Sequence, residues 1–239
     1  VVAVGAEVSA FRIGDRVMGL VEHGYAEMVV GSVDAFAKLP PELDVERAGA
    51  FPLVGLTGME LVEEAVDAHA GERVLVTGAV GSVGRVAVFA AKRRGAQVIA
   101  AVRERQREQA EKLDVDDVVA VDNPHDIRRL HPVDSIADTV NGKVVQSLLD
   151  KVKAGGVVGT VLGPPLGAVE QGLRVHPMLA HPDPERLAVI GQAVIRGELV
   201  LPVDRRFPLS QAQMAQQLAE AGGIGKVLLV TGQPPVTAQ

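Results

Sequence analysis

Gly78, Gly81 and Gly84 are the residues whose type and spacing most plainly serve a chemistry, within the stretch Arg73 to Ala91, RVLVTGAVGSVGRVAVFAA. Glycine reacts with nothing, so the chemistry is recognition: a loop without side chains lets backbone N–H groups approach an anion. Gly81 leaves space for a phosphate oxygen beside the backbone, and Gly84 lets the helix that follows pack closely on the strand before it. A helix start adds free N–H groups and the positive end of a dipole. Ala79, Val80, Gly81, Ser82, Val83 and Gly84 therefore read as a cradle for the diphosphate of a dinucleotide, with no lysine required.

Such a cradle works only if a strand and a helix hold it. Val74, Leu75 and Val76 form an apolar run of buried-strand type. Val83, Val86, Ala87, Ala90 and Ala91 recur at i, i+3, i+4, i+7 and i+8, one face of a helix. A second apolar strand, Gln97 to Val102, follows at the distance a βαβ unit requires. The usual fingerprint is G-x-G-x-x-G, and its first position here is Ala79, preceded by Gly78. The competing reading is a glycine turn that binds nothing, and the flanking strand and helix argue against it.

Composition narrows the partners. A net charge of −6 with 3% aromatic residues gives neither a basic face nor stacking platforms, which argues against nucleic acid. The chain has no cysteine, which removes disulfides, thiolate chemistry and cysteine-bound zinc. The six histidines, His23, His69, His125, His131, His176 and His181, show no metal-ligand spacing on one helix. No apolar run approaches membrane-spanning length, and the expected compartment is cytoplasmic. Val1 stands in place of Met within an apolar run, which reads as a sequence lacking upstream residues.

At 239 residues the chain is long enough for two domains. Residues 1–40 read as strands: Val1 to Val4, Arg16 to Met18 after the Gly14-Asp15 turn, and Tyr25 to Val30. Asp44 is a candidate N-cap, Pro52 a helix breaker, and Met59 to about Ala68 a helix. Strands are expected at 97–102, 118–121, 135–137 and 157–162, with helices at 104–113 and 144–152. This alternation means an α/β fold with a parallel sheet covered on both faces. A helix over 184–195, a capping box from Ser210 and Gln213 over a helix ending near Gly222-Gly223, and a strand over 225–230 complete the pattern, with a frayed tail from Gly232.

Taken together, the motifs resemble those of the medium-chain dehydrogenase/reductase superfamily, and most closely its zinc-independent quinone oxidoreductase branch. V-A-V-G-A-E-V-S-A-F-R-I-G-D-R-V (Val2 to Val17), G-Y-A-E (Gly24 to Glu27), Leu39-Pro40 and G-L-T-G (Gly55 to Gly58) match in order. So do G-A-V-G-S-V-G (Gly78 to Gly84), D-T-V-N-G (Asp138 to Gly142), K-A-G-G (Lys153 to Gly156) and G-K-V-L-L-V (Gly225 to Val230). The branch carries Ala where zinc-dependent relatives carry the first glycine, as at Ala79. The resemblance implies a doubly wound Rossmann domain over residues 49–180 and a partial GroES-like, β-rich catalytic domain built from residues 1–48 and 181–239. It also implies a further stretch ahead of Val1. Zinc-dependent relatives insert a cysteine-rich lobe after G-D-R-V, which is absent between Met18 and Gly24.

What the resemblance implies for function is an NADPH-dependent hydride transfer to a small electrophile, a quinone or an α,β-unsaturated carbonyl, by a homodimer. Thr57 maps to a threonine near the nicotinamide, or else caps a helix after Gly58. Val102 ends the strand where NAD enzymes place an acid, and Arg103 and Arg107 follow as candidates for the adenosine 2′-phosphate, with Glu104 as a complication. Arg105 reads as a solvated helix face. Asn123 lies where relatives contact adenosine, and Val140, Leu162, Gly163 and Pro164 leave strands at their carboxyl ends, where such sheets bind ligands. No general acid is assigned. Tyr25 is the sole tyrosine, and a proton drawn from solvent fits the branch. Two alternatives remain: an enoyl reductase acting on acyl thioesters, and a nucleotide-binding relative without turnover. Short-chain reductases are rejected, because Ser82 stands where their loop needs glycine and Tyr25 has Val29 four residues on in place of lysine.

Overall fold

The computed structural model describes residues 1–222 and 225–232, arranged as two compact units. One is Thr57–Ala180; the other joins Val1–Leu56 to the residues from His181 onward. Gly223 and the tail beyond Gly232 lie outside the described residues, as do the expectations placed on them. No helix among the described residues is long and apolar enough to cross a membrane.

In the two-part unit, strands β1 (Val17–Gly19) and β2 (Phe36–Lys38) pair antiparallel. Helix α1 (Val45–Gly49) starts at Asp44, whose carboxylate accepts from the Arg47 amide. The strands expected over Val1 to Val4 and Tyr25 to Val30 do not form: Val2, Val4, Val29 and Val30 are exposed, and among the described residues no neighbouring strand takes their backbone. Pro52 is the other correction, for beyond the end of α1 it also opens helix α2 (Pro52–Glu60), so the next helix starts there and not at Met59. Proline suits a first helical turn, where its missing N–H has no intrahelical partner to lose. Gly55 to Gly58 therefore lie inside the helix, which continues as a wide, π-type turn over Leu61–Val66 and stops at Asp67, φ 51°.

The Thr57–Ala180 unit holds a six-stranded sheet, all parallel. Its strands are β3 (Arg73–Thr77), β4 (Gln97–Val102), β5 (Asp117–Ala120), β6 (Val133–Asp138), β7 (Val152–Thr160) and β8 (Arg174–Pro177). The order across the sheet is β5-β4-β3-β6-β7-β8. The chain starts in the middle, winds out to β5, then crosses back to β6, which is the doubly wound Rossmann order with its switch point between β3 and β6. Helices α3 (Ser82–Arg93), α4 (Arg107–Glu111), α5 (Pro124–Arg129) and α6 (Gly142–Gln146) make the crossovers. Both β3 and β4 read as apolar runs because both sheet faces are covered. Leu75, Ile99, Ile136, Val145, Leu148, Leu149 and Val158 form one fully buried cluster.

After the sheet, α7 (Pro184–Arg196) is capped by the Asp183 carboxylate and ended by Gly197 at φ 74°. Gly191 faces Met18, Leu43 and Phe51 in the core of its own unit, and the Arg47 guanidinium donates to the Val194 carbonyl. Strands β9 (Val203–Pro208) and β10 (Lys226–Val230) pair in parallel around α8 (Ala212–Ala221). The Ser210/Gln213 capping box does not form, because a 3-10 turn over Leu209–Gln211 leads into α8 and places Gln211 at the N-cap.

Candidate nucleotide-binding site

The loop between β3 and α3 is built by one reversal of the chain. Gly78 takes φ +63°, its amide donating to the Ala101 carbonyl of β4 at 2.9 Å. The Gly78 carbonyl then accepts from the Gly81 amide at 2.8 Å, closing the turn. A Cβ on Gly84 would stand 2.1 Å from that same carbonyl oxygen, so only glycine fits where the helix crosses the turn. The close approach is thus to the loop itself and not to β3 as the sequence suggested. A Cβ on Gly81 would lie 3.2 Å from the Gly78 oxygen, which leaves the outer side of the loop open.

Three amides face this opening without a partner. Among the described residues no carbonyl or side chain accepts from Ser82, Val83 or Gly84, while Arg85 N–H already reaches the Gly81 carbonyl at 2.9 Å. Free N–H groups at the start of a twelve-residue helix fit a bound anion. The Arg85 guanidinium donates from Nε to the Val80 carbonyl at 2.9 Å, and burial pulls its pKa below the ordinary arginine value.

Beside the cradle, β6 and β7 end in a buried polar network. The Asp138 carboxylate is fully buried, and its Oδ1 accepts from the Thr77 hydroxyl at 2.8 Å and from the amides of Val140 and Asn141 at 3.2 and 3.1 Å. The Thr160 hydroxyl lies 3.2 Å from Oδ2 and 3.0 Å from the Gly163 carbonyl. Thr139 closes the network against β3, its amide donating to the Thr77 hydroxyl and its own hydroxyl to the Thr77 carbonyl. Asn141 sits at φ 52° and ψ −167°, a conformation that costs a non-glycine residue on the order of 1–3 kcal/mol. Its Nδ2 donates to the carbonyls of Leu162 and Gly163 at 2.9 and 3.3 Å.

On the far side of the cradle, the ends of β4 and β5 carry charge. Arg107 pairs with both oxygens of Glu104, at 2.8 and 3.1 Å, and also with Asp126. Glu104 first and Asp126 second raise the Arg107 pKa above its ordinary value, and Arg107 in turn holds Glu104 low. The Ala120 amide, then Arg107, keeps the Asp126 carboxyl below the usual range. Asp122 accepts from the Glu104 amide at 2.7 Å, tying the two strand ends together.

A model of zinc-binding dehydrogenases matches residues 82–181, the stretch from the first turn of α3 to just past the sheet. A quinone oxidoreductase of Pseudomonas aeruginosa is 28% identical over 95% of this chain and 78% of its own length. The solved quinone oxidoreductase of Coxiella burnetii superposes with a TM-score of 0.84 at 28% identity, over 95% of this chain and 75% of that one. These matches support the medium-chain dehydrogenase/reductase superfamily and, within it, the quinone oxidoreductase branch. The chain is an oxidoreductase, and the fold of the superfamily implies a nicotinamide nucleotide cofactor. The CurK enoyl reductase shares the fold with a TM-score of 0.81 at 22% identity, over 97% of this chain and 76% of that one.

Within this superfamily frame, the sequence-derived site residues fall into three groups. Ala79 to Gly84 form the cradle, with Val140 packed over Gly78: a Cβ there would meet Val140 Cγ1 at 2.7 Å. Val140, Leu162, Gly163 and Pro164 come together at the carboxyl ends of β6 and β7, Val140 and Leu162 being 40% and 59% exposed. Arg103, Arg107 and Asn123 gather at the ends of β4 and β5, where Arg103 is exposed and Asn123 caps α5 by accepting from the His125 amide. Thr57 lies within α2 and does not cap a helix.

Sequence reasoning missed Asp138, Asn141, Thr77 and Thr160 as a working set, although D-T-V-N-G was in view. The available signal was a charged residue ending an otherwise apolar strand, with threonines at the ends of the strands that turned out to be its neighbours. Tyr25, 71% exposed, lines a groove of about 380 Å³ with Ala215, Gln216, Ala219, Glu220, Val227 and Leu229 of its own unit.

Proposed function

We propose that this oxidoreductase transfers a hydride from NADPH to a small electrophilic acceptor, a quinone or an α,β-unsaturated carbonyl, without a metal ion. The observation that carries the reading is the cradle: three partnerless amides at a helix start, beside a loop that only glycine can close. The bound nicotinamide supplies the hydride, and the protein supplies binding and orientation. The amides of Ser82, Val83 and Gly84 would hold the diphosphate; the ends of β4 and β5 would receive the adenosine half, and the ends of β6 and β7 the nicotinamide half. The chain contains no cysteine, so a thiolate-held zinc has no ligand in it.

NADPH is favoured over NADH by the charges at the end of β4. Glu104 would accept hydrogen bonds from a free ribose diol, but Arg107 occupies both its oxygens. Arg103 has no carboxylate partner among the described residues and is left for the 2′-phosphate. Arg103→Ala is expected to raise the KM for NADPH by about tenfold to a hundredfold, the range of one charge-assisted hydrogen bond, and to spare that for NADH. Arg107→Ala should release Glu104 and lower the KM for NADH while raising that for NADPH. Steady-state kinetics with both cofactors read the two effects, and parallel changes for the two would remove the basis for NADPH.

The broader test is a fluorescence titration with NADPH and NADH, followed by turnover assays on quinones, enals and an enoyl thioester such as crotonyl-CoA. Binding with reduction of quinones or enals supports the reading. Reduction confined to the thioester replaces it with an enoyl reductase, and no nucleotide binding overturns it.

We also propose a homodimer formed through β8, the edge strand of the sheet, beyond which Leu179 is 90% exposed. An uncovered edge strand offers unpaired N–H and C=O groups to a second copy. Analytical ultracentrifugation of Val175→Pro against the parent chain tests it; an unchanged dimer places the interface elsewhere.

A further inference from the structure

Asn141 stands in a backbone conformation that glycine would adopt without strain, and the next residue, Gly142, also has a positive φ of 66°. A turn there needs no asparagine. What the side chain adds is a bridge. Its Oδ1 accepts from the Gly142 amide at 2.6 Å, and its Nδ2 reaches across to the carbonyls of Leu162 and Gly163. Its own amide is held by the buried Asp138 carboxylate, so the bridge is anchored to the strand end at one side and grips the neighbouring loop at the other.

The two loops so joined present Val140 and Leu162, both apolar and both exposed. They lie on the β6 and β7 side of the cradle, where the proposed function puts the nicotinamide. We propose that Asn141 is a positioning residue: it straps the 138–142 loop to the 160–164 loop and so holds Val140 and the Leu162-Gly163 backbone as a preformed floor for the nicotinamide. This rests on the nucleotide reading above. Preforming the floor in the free protein means that binding does not have to order it, which favours affinity. The strain at Asn141 is kept for that purpose and not for stability.

Two variants separate these effects. Asn141→Gly removes both strap and strain; Asn141→Ala removes the strap and keeps the strain. Asn141→Gly is expected to melt at or above the temperature of the parent, yet to bind NADPH about tenfold more weakly. ADP-ribose, which lacks the nicotinamide, should bind parent and variant within twofold of each other. Asn141→Ala should lose the same tenfold for NADPH and melt lower. If Asn141→Gly binds NADPH as tightly as the parent, the asparagine is only a turn residue and the proposal fails while the nucleotide reading stands. Equal weakening of NADPH and ADP-ribose also overturns it, because the effect then lies in the cradle as a whole. A parent chain that binds neither ligand sinks the functional reading and this proposal with it.

Discussion

Gly84→Val is expected to bind neither NADPH nor NADH measurably, with a loss of on the order of a hundredfold or more in affinity, equivalent to about 2.7 kcal/mol. The first added carbon alone would stand 2.1 Å from the Gly78 carbonyl oxygen and 2.8 Å from the Ala79 Cα, both backbone atoms that no rotamer change can move. Either α3 slides away from the loop or the loop opens, and in both cases the amides of Ser82 and Val83 leave their common focus. Overpacking of this kind costs roughly 1–3 kcal/mol in stability, a fall of about 2–10 °C in melting temperature for a chain of this length. The protein should remain folded by circular dichroism while titration with either nucleotide gives no saturation. Saturable binding at the parent's affinity would mean the nucleotide sits elsewhere.

Asp138 offers the second large effect, and its two substitutions should diverge. Asp138→Ala leaves the buried Thr77 hydroxyl and the part-buried amides of Val140 and Asn141 without their acceptor, while Thr160 keeps the Gly163 carbonyl. Each stranded donor costs up to about 1–3 kcal/mol, so the three together remove a large part of the stability of a typical domain. Asp138→Ala is therefore expected to be largely insoluble, or to melt more than about 10 °C below the parent. Asp138→Asn keeps one oxygen for Thr77, Val140 and Asn141, and its new N–H₂ group can donate to Thr160, whose hydroxyl still donates to Gly163. It should melt close to the parent. Thermal denaturation of the pair decides whether hydrogen-bond pattern or negative charge matters at this position; two equally damaged variants would point to charge.

Much of the sheet was legible because its strands are buried on both faces and so read as apolar runs set apart by helices. The glycine loop was legible for a related reason: close packing excludes side chains, and glycine marks the exclusion. Within residues 1–40 the strand read at Arg16 to Met18 forms as β1, but Val1 to Val4 and Tyr25 to Val30 misled because apolar content was taken for strand, whereas Val2, Val4, Val29 and Val30 are exposed and have no partner strand among the described residues. Pro52 ended one helix as read, but its fitness for a first helical turn went unused, so the next helix was started at Met59 and not at Pro52. Helix α5 went unseen although its signals were present, Asn123 as cap and Pro124 at the first position.

The charges near the adenosine side show a harder limit. Glu104 and Arg107 are three residues apart, and their pairing was open to sequence reasoning. Asp126 completes the group from beyond β5, which only the folded sheet makes adjacent. The same holds for Asn141 and Leu162, which meet because β6 and β7 lie side by side.

The Thr57–Ala180 unit is one unbroken stretch of chain set inside a unit assembled from two pieces. On the ribosome the Rossmann sheet can therefore fold as soon as it emerges, whereas α1, β1 and β2 must wait for α7 to be made. At roughly 5–20 residues per second, that wait is on the order of ten seconds. Through that interval Met18, Leu43 and Phe51 have no Gly191 to pack on, so the Val1–Leu56 segment of the nascent protein stays exposed to chaperones and proteases. Chains halted before His181 should carry a protease-resistant sheet beside a digestible Val1–Leu56 segment.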